Sequence, residues 1–484
     1  MLRADQERVL SQGSKIKLDL AGIRNGQVSI LVLLYIIAVF LPVGFSLGPV
    51  FLTLVRLLLL VTIIPLSINL LMGKYGRLLW IDVFFFLHVG WILVSLLVNN
   101  PNQAIANAGS TGIEFIGGYI LGRACIRDRD DFIALVRTLV YFVFACFPFA
   151  LYETLTGTAV IANLVNSIPG VSSNPDLSPG RRMGLDRVQM VFVHPIHWGL
   201  FCAVVLSLCF VGFKDIFSNT FRIICALVIC ISGFLALSSG ALLAMVMQFI
   251  LIFWAWVFRS SERRWVILLS VIAVFYVIID LLSDRTPIMV FLSYATFSSH
   301  TAYWRTIIFE WGMVNVWANP VFGLGLNDWV RPIWMFSGSL DNFWLLIAVR
   351  FGIPGFLFLA VGYVIGIWKI GRRKFDDDQV LWNLRRAWMF SFIGLTFTLS
   401  TVHIWHTVYS FVFFMFGSGM WLLYAKPQSP DRNAFGLDNV VKPDTDRSRF
   451  TRQGSDKSTS SASAEIGQEA ASSRPSYTRF PPKK

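Results

Sequence analysis

An aspartate and an asparagine stand side by side at the start of a long apolar stretch. Asp341-Asn342 is followed by nine residues and then by Gly352-Ile353-Pro354-Gly355. A carboxylate that is partly shielded from water has a raised pKa and makes a competent general base. Aspartate is also a favoured residue at the N-terminal cap of a helix. From the residues alone, helix capping is the favoured role for Asp341, and general-base chemistry is the alternative.

Two histidines and a glycine-rich segment are further candidates for chemistry. His194 and His197 stand three positions apart at the start of another apolar stretch. Hydrogen bonding is favoured for them over metal binding, because no cysteine or carboxylate partner is evident nearby. The segment 323–329 contains two glycines but lacks the spacing and the strand–helix context of a dinucleotide site, so it predicts a turn.

Membrane-spanning helices must position these residues. Hydrophobic residues make up 55% of the 484-residue chain and charged residues only 14%, against roughly a quarter charged in soluble domains. Apolar stretches of about twenty residues recur along the chain, and each is long enough to cross a bilayer. The sequence therefore predicts an all-α, polytopic transmembrane helix bundle of about twelve spans. The predicted spans are 29–47, 49–72, 78–98, 104–122, 132–153, 191–213, 222–239, 241–258, 265–282, 341–368, 387–402 and 406–424.

Polar segments flank the predicted bundle, which extends over residues 29–424. Residues 1–28 are predicted to be a cytoplasmic tail without a cleavage site, so the first span is expected to stay as an anchor. Residues 425–484 are rich in Ser, Lys, Arg, Asp and Pro, which predicts a disordered cytoplasmic tail. The six cysteines lie in or at the edges of predicted spans, so no disulfide framework and no zinc site are expected.

The placement of positive charge predicts the orientation of the bundle. Of the 41 Lys and Arg residues, 32 lie in the two tails and in alternate loops between spans. This is the distribution of a membrane protein whose basic loops face the cytoplasm, and it predicts that both termini are cytoplasmic. The net charge of +13 is explained in this way, and no basic segment is interleaved with aromatic residues as in a nucleic-acid-binding protein.

Every positive residue outside these cytoplasmic segments is an arginine. Arginine presents a planar set of donors that suits bidentate contacts with phosphate or carboxylate. A phosphate-binding role for at least two of them competes with the simpler view that arginine tolerates interfaces better than lysine. Six lie in predicted external loops: Arg181, Arg182, Arg187, Arg285, Arg305 and Arg331.

Two long segments, 154–190 and 283–340, are predicted to be external loops. The second is expected to contain an amphipathic helix from His300 to Trp317. Its tryptophans favour a position in the membrane interface, and packing on the bundle as a lid is a compatible alternative. The residues predicted to share one face of this helix are Trp304, Ile307, Ile308, Trp311 and Val314.

Four motifs, in order along residues 187–360, resemble those of the O-antigen ligase and O-antigen polymerase superfamily of bacterial envelope glycosyltransferases. The opening of a span at 194–199, HPIHWG, resembles the family's "HP…G" sequence. Residues 238–241, SSGA, resemble its "SRGA" signature, with Ser239 at the position of the arginine. Tyr303-Trp304-Arg305, followed by 319–325 (NPVFGLG), resembles "R…W…NP-LFGxG". Asp341-Asn342 with its following glycines is similar to the ligase motif "H-N/S/Q-x9-GxxG".

The resemblance implies an enzyme that uses an undecaprenyl-diphosphate-linked glycan as donor at the periplasmic face of the inner membrane. It implies that Arg187, Arg285 and Arg305 hold the diphosphate, whose developing charge arginines can stabilise without a metal ion. Asp341 would take the position of the ligase histidine and accept the proton of the acceptor hydroxyl, while Asn342 would orient the acceptor or the base. His194, His197 and Tyr303 are candidate substrate-binding residues. No metal or other cofactor is expected.

Aspartate in place of histidine favours a polymerase over a ligase. The leading hypothesis is therefore polymerisation of repeat units into O-antigen, capsule or exopolysaccharide, and the alternative within the class is transfer of polysaccharide to a lipid or protein. The alternative from another class is a secondary transporter, which would usually show matched internal repeats. The expected partners are the lipid-linked oligosaccharide, membrane lipids and a candidate chain-length regulator, with no nucleic acid.

Overall fold

A computed structural model describes residues 28–47, 50–173, 180–283, 287, 290, 299–375 and 378–427 of the chain. The predictions for the N-terminal tail before residue 28, for the C-terminal tail after residue 427 and for Arg285 lie outside these residues. The described chain is mainly helical, as predicted, with two short antiparallel hairpins. The elements are α1 (Ile30–Phe40), β1 (Gly44–Leu47), β2 (Val50–Thr53), α2 (Leu54–Leu71), α3 (Trp80–Asn99), α4 (Pro101–Gly112), a π-helical turn (Ile113–Gly117), α5 (Gly118–Cys125), α6 (Arg129–Thr156), α7 (Val160–Asn166), β3 (Arg181–Arg182), β4 (Leu185–Asp186), α8 (Pro195–Phe210), α9 (Asn219–Phe234), α10 (Ser239–Val257), α11 (Arg264–Leu282), α12 (Ser299–Ala318), α13 (Phe343–Gly371), α14 (Gln379–Leu399), α15 (His406–Gly417) and a 3₁₀ turn (Met420–Leu423).

Seven helical segments of the described chain are long and apolar enough to cross a membrane. They are α2, α3, α6, α10, α11, α13 and the continuous stretch from α15 through the 3₁₀ turn. Three shorter apolar helices, α1, α8 and α9, accompany them. Helix α11 is apolar along its length and buries none of its side chains, as expected for a helix in contact with lipid. The chain is therefore a multi-pass membrane protein, and the count of twelve spans stays a prediction.

The first predicted span is shorter in the structure because the backbone leaves the helix early. Helix α1 ends at Phe40, and β1 begins at Gly44 within the range predicted to be helical. Gly44 pairs with Thr53 of β2 and also forms a bridge to Ser172. A break between the two predicted spans is confirmed, but it lies at 235–238 rather than at 238–240, since α9 ends at Phe234 and α10 begins at Ser239.

Close packing of α5 against α15 forms the centre of the bundle. A Cβ atom on Gly118 would lie 2.5 Å from the backbone oxygen of Ser410, and one on Gly122 would lie 2.1 Å from that of Phe414. Only glycine therefore allows these two helices to approach as they do. The π-helical turn that precedes α5 places Glu114 inside the bundle, where its side chain is 6% exposed.

Helix α13 is kinked rather than straight. Gly352 adopts φ 72° and ψ 179°, and Pro354 follows it, so Phe343–Phe351 is a separate helical segment. The loop 319–325 fills the kink, with Ile353 N donating to the carbonyl of Pro320 at 2.8 Å and Leu324 N to that of Val349 at 2.9 Å. The glycine-rich segment is thus a turn that packs on the kink, as predicted.

Helix α12 packs on the first part of α13. Ile307 and Ile308 are buried in a cluster that includes Leu345 and Leu346, and Trp304 and Trp311 pack against it. This agrees with the lid arrangement and with four of the five residues predicted for the apolar face. Val314 is 54% exposed, so its assignment to that face was wrong. Asn315 is buried instead. Its side-chain amide donates a hydrogen bond to the carbonyl of Val330 and accepts one from the backbone N–H of Val330.

Candidate functional site

The motif residues converge at one end of the bundle, where α8, α13 and α15 begin. The loop 180–194 approaches this end, and two of its three arginines are fixed by the break between α9 and α10. Arg182 Nη1 donates to the carbonyl of Leu237 at 2.9 Å, and Arg187 Nε donates to that of Ala236 at 3.4 Å. These carbonyls are free of helical hydrogen bonding because the chain turns there.

The serine–glycine motif provides this break in two ways. The Ser238 hydroxyl accepts from Ala241 N and so starts α10. Gly240 lies against Val402, whose Cγ1 would be 2.3 Å from a Cβ at that position. The break thus brings the loop after α14 next to the carbonyls that hold the arginines.

A buried carboxylate holds the backbone beside Arg187. Glu153, near the end of α6, is 4% exposed and accepts from Gln189 N at 2.7 Å and from Met190 N at 3.1 Å. The hydroxyl of Thr154 donates to the carbonyl of Asp186 at 2.8 Å. This part of the loop is therefore rigidly attached to the bundle, which preorganises Arg187.

Arg182, Arg187 and Arg305 are called here the arginine cluster, because the charge of Arg182 acts on both Arg187 and Arg305. Asp341 acts on Arg305. Burial and, to a smaller extent, the charge of Arg182 lower the pKa of Arg187 to about 10. Burial lowers the pKa of Arg305, and the charge of Arg182 acts in the same direction while Asp341 opposes it. Three neighbouring arginines, one of them opposed by a single carboxylate, are suited to an anionic ligand.

His194 lies between the arginine cluster and the loop after α14. It caps α8 through Nδ1, which accepts from Ile196 N at 3.1 Å. Burial and the charges of Arg187 and Arg182 lower its pKa to about 4, whereas Asp341 raises it. His194 is therefore a neutral imidazole at neutral pH. Its Nδ1 caps the helix, and its Nε2 takes no part in the cap.

The capping role predicted for Asp341 was wrong. The side chain of Asn342 caps α13, with Oδ1 accepting from Leu345 N at 3.1 Å. The Asp341 carboxylate is exposed and accepts from the Ser339 hydroxyl at 2.6 Å. The helix begins one residue later than a cap at Asp341 requires, which leaves that carboxylate available to a substrate.

The remaining predicted residues have different positions. His197 is buried in α8, and its ring centroid lies 4.2 Å from that of Trp405. Tyr303 is 65% exposed at the start of α12, and among the described residues no polar contact joins it to the arginine cluster. The role predicted for Arg285 concerns a residue outside the described ranges.

The sequence-based prediction did not single out two parts of the site, Arg182 and the loop 400–405. Arg182 belongs to the set of external arginines. The sequence alone does not distinguish it from its neighbour Arg181, which forms an ion pair with Asp186. The loop 400–405 brings His403 and Trp405 to the site. His403 and Trp405 were the only signal, in residues predicted to be a short connection between the spans 387–402 and 406–424.

The comparisons with known proteins agree with this architecture. The apolar helices define the class, a multi-pass membrane protein. Within that class, residues 223–360 match the family model described as O-antigen ligase. This confirms the resemblance to the O-antigen ligase and polymerase superfamily, whose members are membrane glycosyltransferase-like enzymes. The match includes Arg305 and Asp341-Asn342, whereas Arg182, Arg187 and His194 precede it. A comparison with curated proteins found no match.

The arrangement is suited to displacement of an anionic leaving group. Three arginines can neutralise a diphosphate, and an exposed carboxylate beside them can accept a proton. No group of three or more His, Cys, Asp or Glu side chains arranged to hold a metal ion occurs in the part of the chain that the structure describes.

Proposed function

We propose that the protein polymerises undecaprenyl-diphosphate-linked repeat units into O-antigen, capsule or exopolysaccharide. The observation that carries this proposal is the arginine cluster together with the exposed carboxylate of Asp341, which acts on Arg305 and on His194. The site would face the periplasm from a bundle of about twelve spans in the inner membrane, with both termini in the cytoplasm.

The proposed reaction is direct displacement at the anomeric carbon of the donor. The acceptor hydroxyl loses its proton to Asp341 as its oxygen bonds to that carbon. The bond from the carbon to the phosphate oxygen breaks, and the lipid diphosphate leaves with the electron pair. Arg182, Arg187 and Arg305 stabilise the negative charge that develops on the diphosphate, so no metal ion is needed. Asn342 acts on the geometry of Asp341 through the helix cap.

A polymerase is preferred to a ligase because aspartate replaces the ligase histidine. The ligase remains the second candidate, since the matching family model is that of an O-antigen ligase. In that reaction the same proton transfer to Asp341 and the same displacement of the lipid diphosphate would transfer finished polysaccharide to a lipid or protein acceptor. A chain-length regulator is a proposed partner of the polymerase.

The first test replaces the proposed base and one arginine in the cell that makes the polysaccharide. Asp341→Asn and Asp341→Ala are expected to lower the rate of polymerisation by about 10²-fold or more, as for loss of a general base. Arg305→Lys is expected to shorten the polymer, because lysine cannot make the bidentate contact. Gel electrophoresis of the polysaccharide reports chain length, and accumulation of single repeat units would support a polymerase.

The matched controls are Asp328→Asn and Arg331→Lys. These residues form an ion pair in the same segment, and the Asp328 side chain is 70% exposed. Both variants are expected to give full-length polymer. Full-length polymer from the Asp341 variants at wild-type protein levels would reject the proposed site. If the polymer in these variants stays on the carrier lipid and is not transferred to its final acceptor, the result would instead indicate a ligase.

A further inference from the structure

A second group of side chains lies beside the arginine cluster and has no role in the displacement reaction. It consists of His197, His403, Trp405 and His406, called here the Trp405 cluster. The centroid of the Trp405 ring lies 4.2 Å from that of His197 and 4.9 Å from that of His403. Trp405 and His403 are half-buried, and the His406 side chain is 47% exposed. The cluster thus combines an accessible indole with several imidazoles.

A buried polar atom in this cluster has no partner. His197 is 1% exposed, and its Nε2 makes no hydrogen bond within the described part of the chain. One turn into α15, Tyr409 is 5% exposed and its hydroxyl is likewise without a hydrogen bond there. Buried polar groups are normally satisfied, and the exceptions call for an explanation. A ligand that carries hydroxyl groups would satisfy such atoms.

Two backbone irregularities hold His406 in position. His406 adopts φ 52°, which is unusual for a residue with a side chain. Glu114 lies in the π-helical turn, a feature that is frequent at functional sites. Arg56 connects them, with Nε donating to Glu114 Oε1 at 2.7 Å and Nη2 lying 3.3 Å from His406 Nδ1. The two irregular segments therefore carry the two residues, Glu114 and His406, that Arg56 contacts.

This interaction defines the tautomer of His406. A guanidinium only donates hydrogen bonds, so Nδ1 of His406 must accept and Nε2 must carry the hydrogen. His406 thus has an N–H donor at Nε2. Glu114 compensates the charge of Arg56.

The chemistry of the Trp405 cluster matches a sugar ring rather than a phosphate. Burial and the charge of Arg350 lower the pKa of His403 to about 3, so this imidazole is neutral at neutral pH. A neutral imidazole offers one donor and one acceptor, which is what a hydroxyl group needs. The apolar face of a pyranose packs on an indole, whose large surface is favourable for such contacts.

We propose that the Trp405 cluster binds a pyranose ring of the acceptor glycan and directs its hydroxyl towards Asp341. This inference rests on the proposed glycosyltransferase function. His194 joins the two parts of the site, because its ring centroid lies 6.0 Å from that of Trp405 while Asp341 acts on it electrostatically. His194 then lies between the arginine cluster and Trp405, with the donor diphosphate on the arginine side and the acceptor sugar on the Trp405 side.

The test measures donor and acceptor separately with the purified full-length protein in lipid nanodiscs. The donor is the lipid-diphosphate-linked repeat unit from the producing cell. The acceptor probe is an alkyl glycoside of the same repeat unit, which lacks a diphosphate and can only accept. Trp405→Ala is expected to raise the acceptor KM about tenfold or more and to leave the donor KM within about twofold of wild type. Trp405→Phe, which keeps an aromatic ring, is expected to retain most of the acceptor affinity.

The control is Trp368→Ala, which removes an exposed tryptophan from the far end of α13 and should change neither KM. If Trp405→Ala does not accumulate, His406→Ala is used, and the same rise in acceptor KM is expected from loss of its N–H donor. An unchanged acceptor KM in an active protein, or a rise confined to the donor KM, overturns the acceptor subsite alone. Absence of any glycosidic product from the wild-type protein overturns the proposed function as well.

Discussion

Asp341 and Asn342 are neighbours with different tasks. Both residue types are good N-caps, so residue preference cannot decide which of them starts the helix. The decision comes from packing, since Phe343 N donates to the carbonyl of Val402 at 3.1 Å and fixes where α13 begins. The sequence-based prediction therefore favoured capping by Asp341, which is wrong, because the residue that sets the register lies about sixty positions away along the chain. The general-base role stays a prediction.

The division of tasks between these neighbours can be measured. Asn342→Ala is expected to lower the free energy of unfolding by about 1 kcal/mol, as for loss of an N-cap, whereas Asn342→Ser should keep the cap. Asp341→Asn is expected to leave stability unchanged while activity is lost. Thermal unfolding of the purified variants in detergent, together with their rates of glycosyl transfer, checks both statements. Destabilisation by Asp341→Asn as large as that by Asn342→Ala would contradict this assignment.

At the scale of elements, the kink in α13 positions the site. The sequence predicted one span over 341–368, and Gly352 and Pro354 were visible within it. A kink at that point requires the loop 319–325, whose carbonyls and glycines fit against Gly352. Because this partner lies in a different segment, local preference alone predicted a continuous helix. The helical range of α12 was predicted well because its pattern is local, apart from Val314.

A single methyl group is expected to disrupt the kink. In Gly352→Ala the new Cβ would lie 2.1 Å from the carbonyl oxygen of Val321 at a φ of 72°, and we expect destabilisation of about 1–3 kcal/mol with loss of activity. Gly90→Ala in α3 is the matched control, because no atom lies within 4 Å of its Cβ. Alanine in a helix interior should there stabilise by about 0.5–1 kcal/mol. Unfolding midpoints and protein levels of the two variants provide the comparison, and equal behaviour would rule out the steric role of Gly352.

At the scale of the whole molecule, the candidate site is built from distant segments. Arg187 comes from the loop before α8, Arg305 from α12, Asp341 from the start of α13 and Trp405 from the loop before α15. Composition predicted the membrane class, the motifs predicted the family, and the resemblance placed Arg187, Arg305 and Asp341 among the expected site residues. Trp405 was missed because its loop is short and lies beyond the motifs. Its position depends on the contact of Gly240 with Val402, which is a tertiary feature.

The central claim is that Asp341 and the arginine cluster transfer glycan from a lipid diphosphate without a metal ion. The most direct measurement is glycosidic bond formation by the purified protein in nanodiscs, with lipid-diphosphate-linked repeat units and a chelator of divalent cations. The wild-type protein is expected to form polymer and release the lipid diphosphate. The Asp341→Asn variant is expected to bind the donor, but its rate of product formation should fall by about 10²-fold or more. Polymer formation by Asp341→Asn at the wild-type rate, or its complete dependence on a divalent cation in the wild type, would contradict the account.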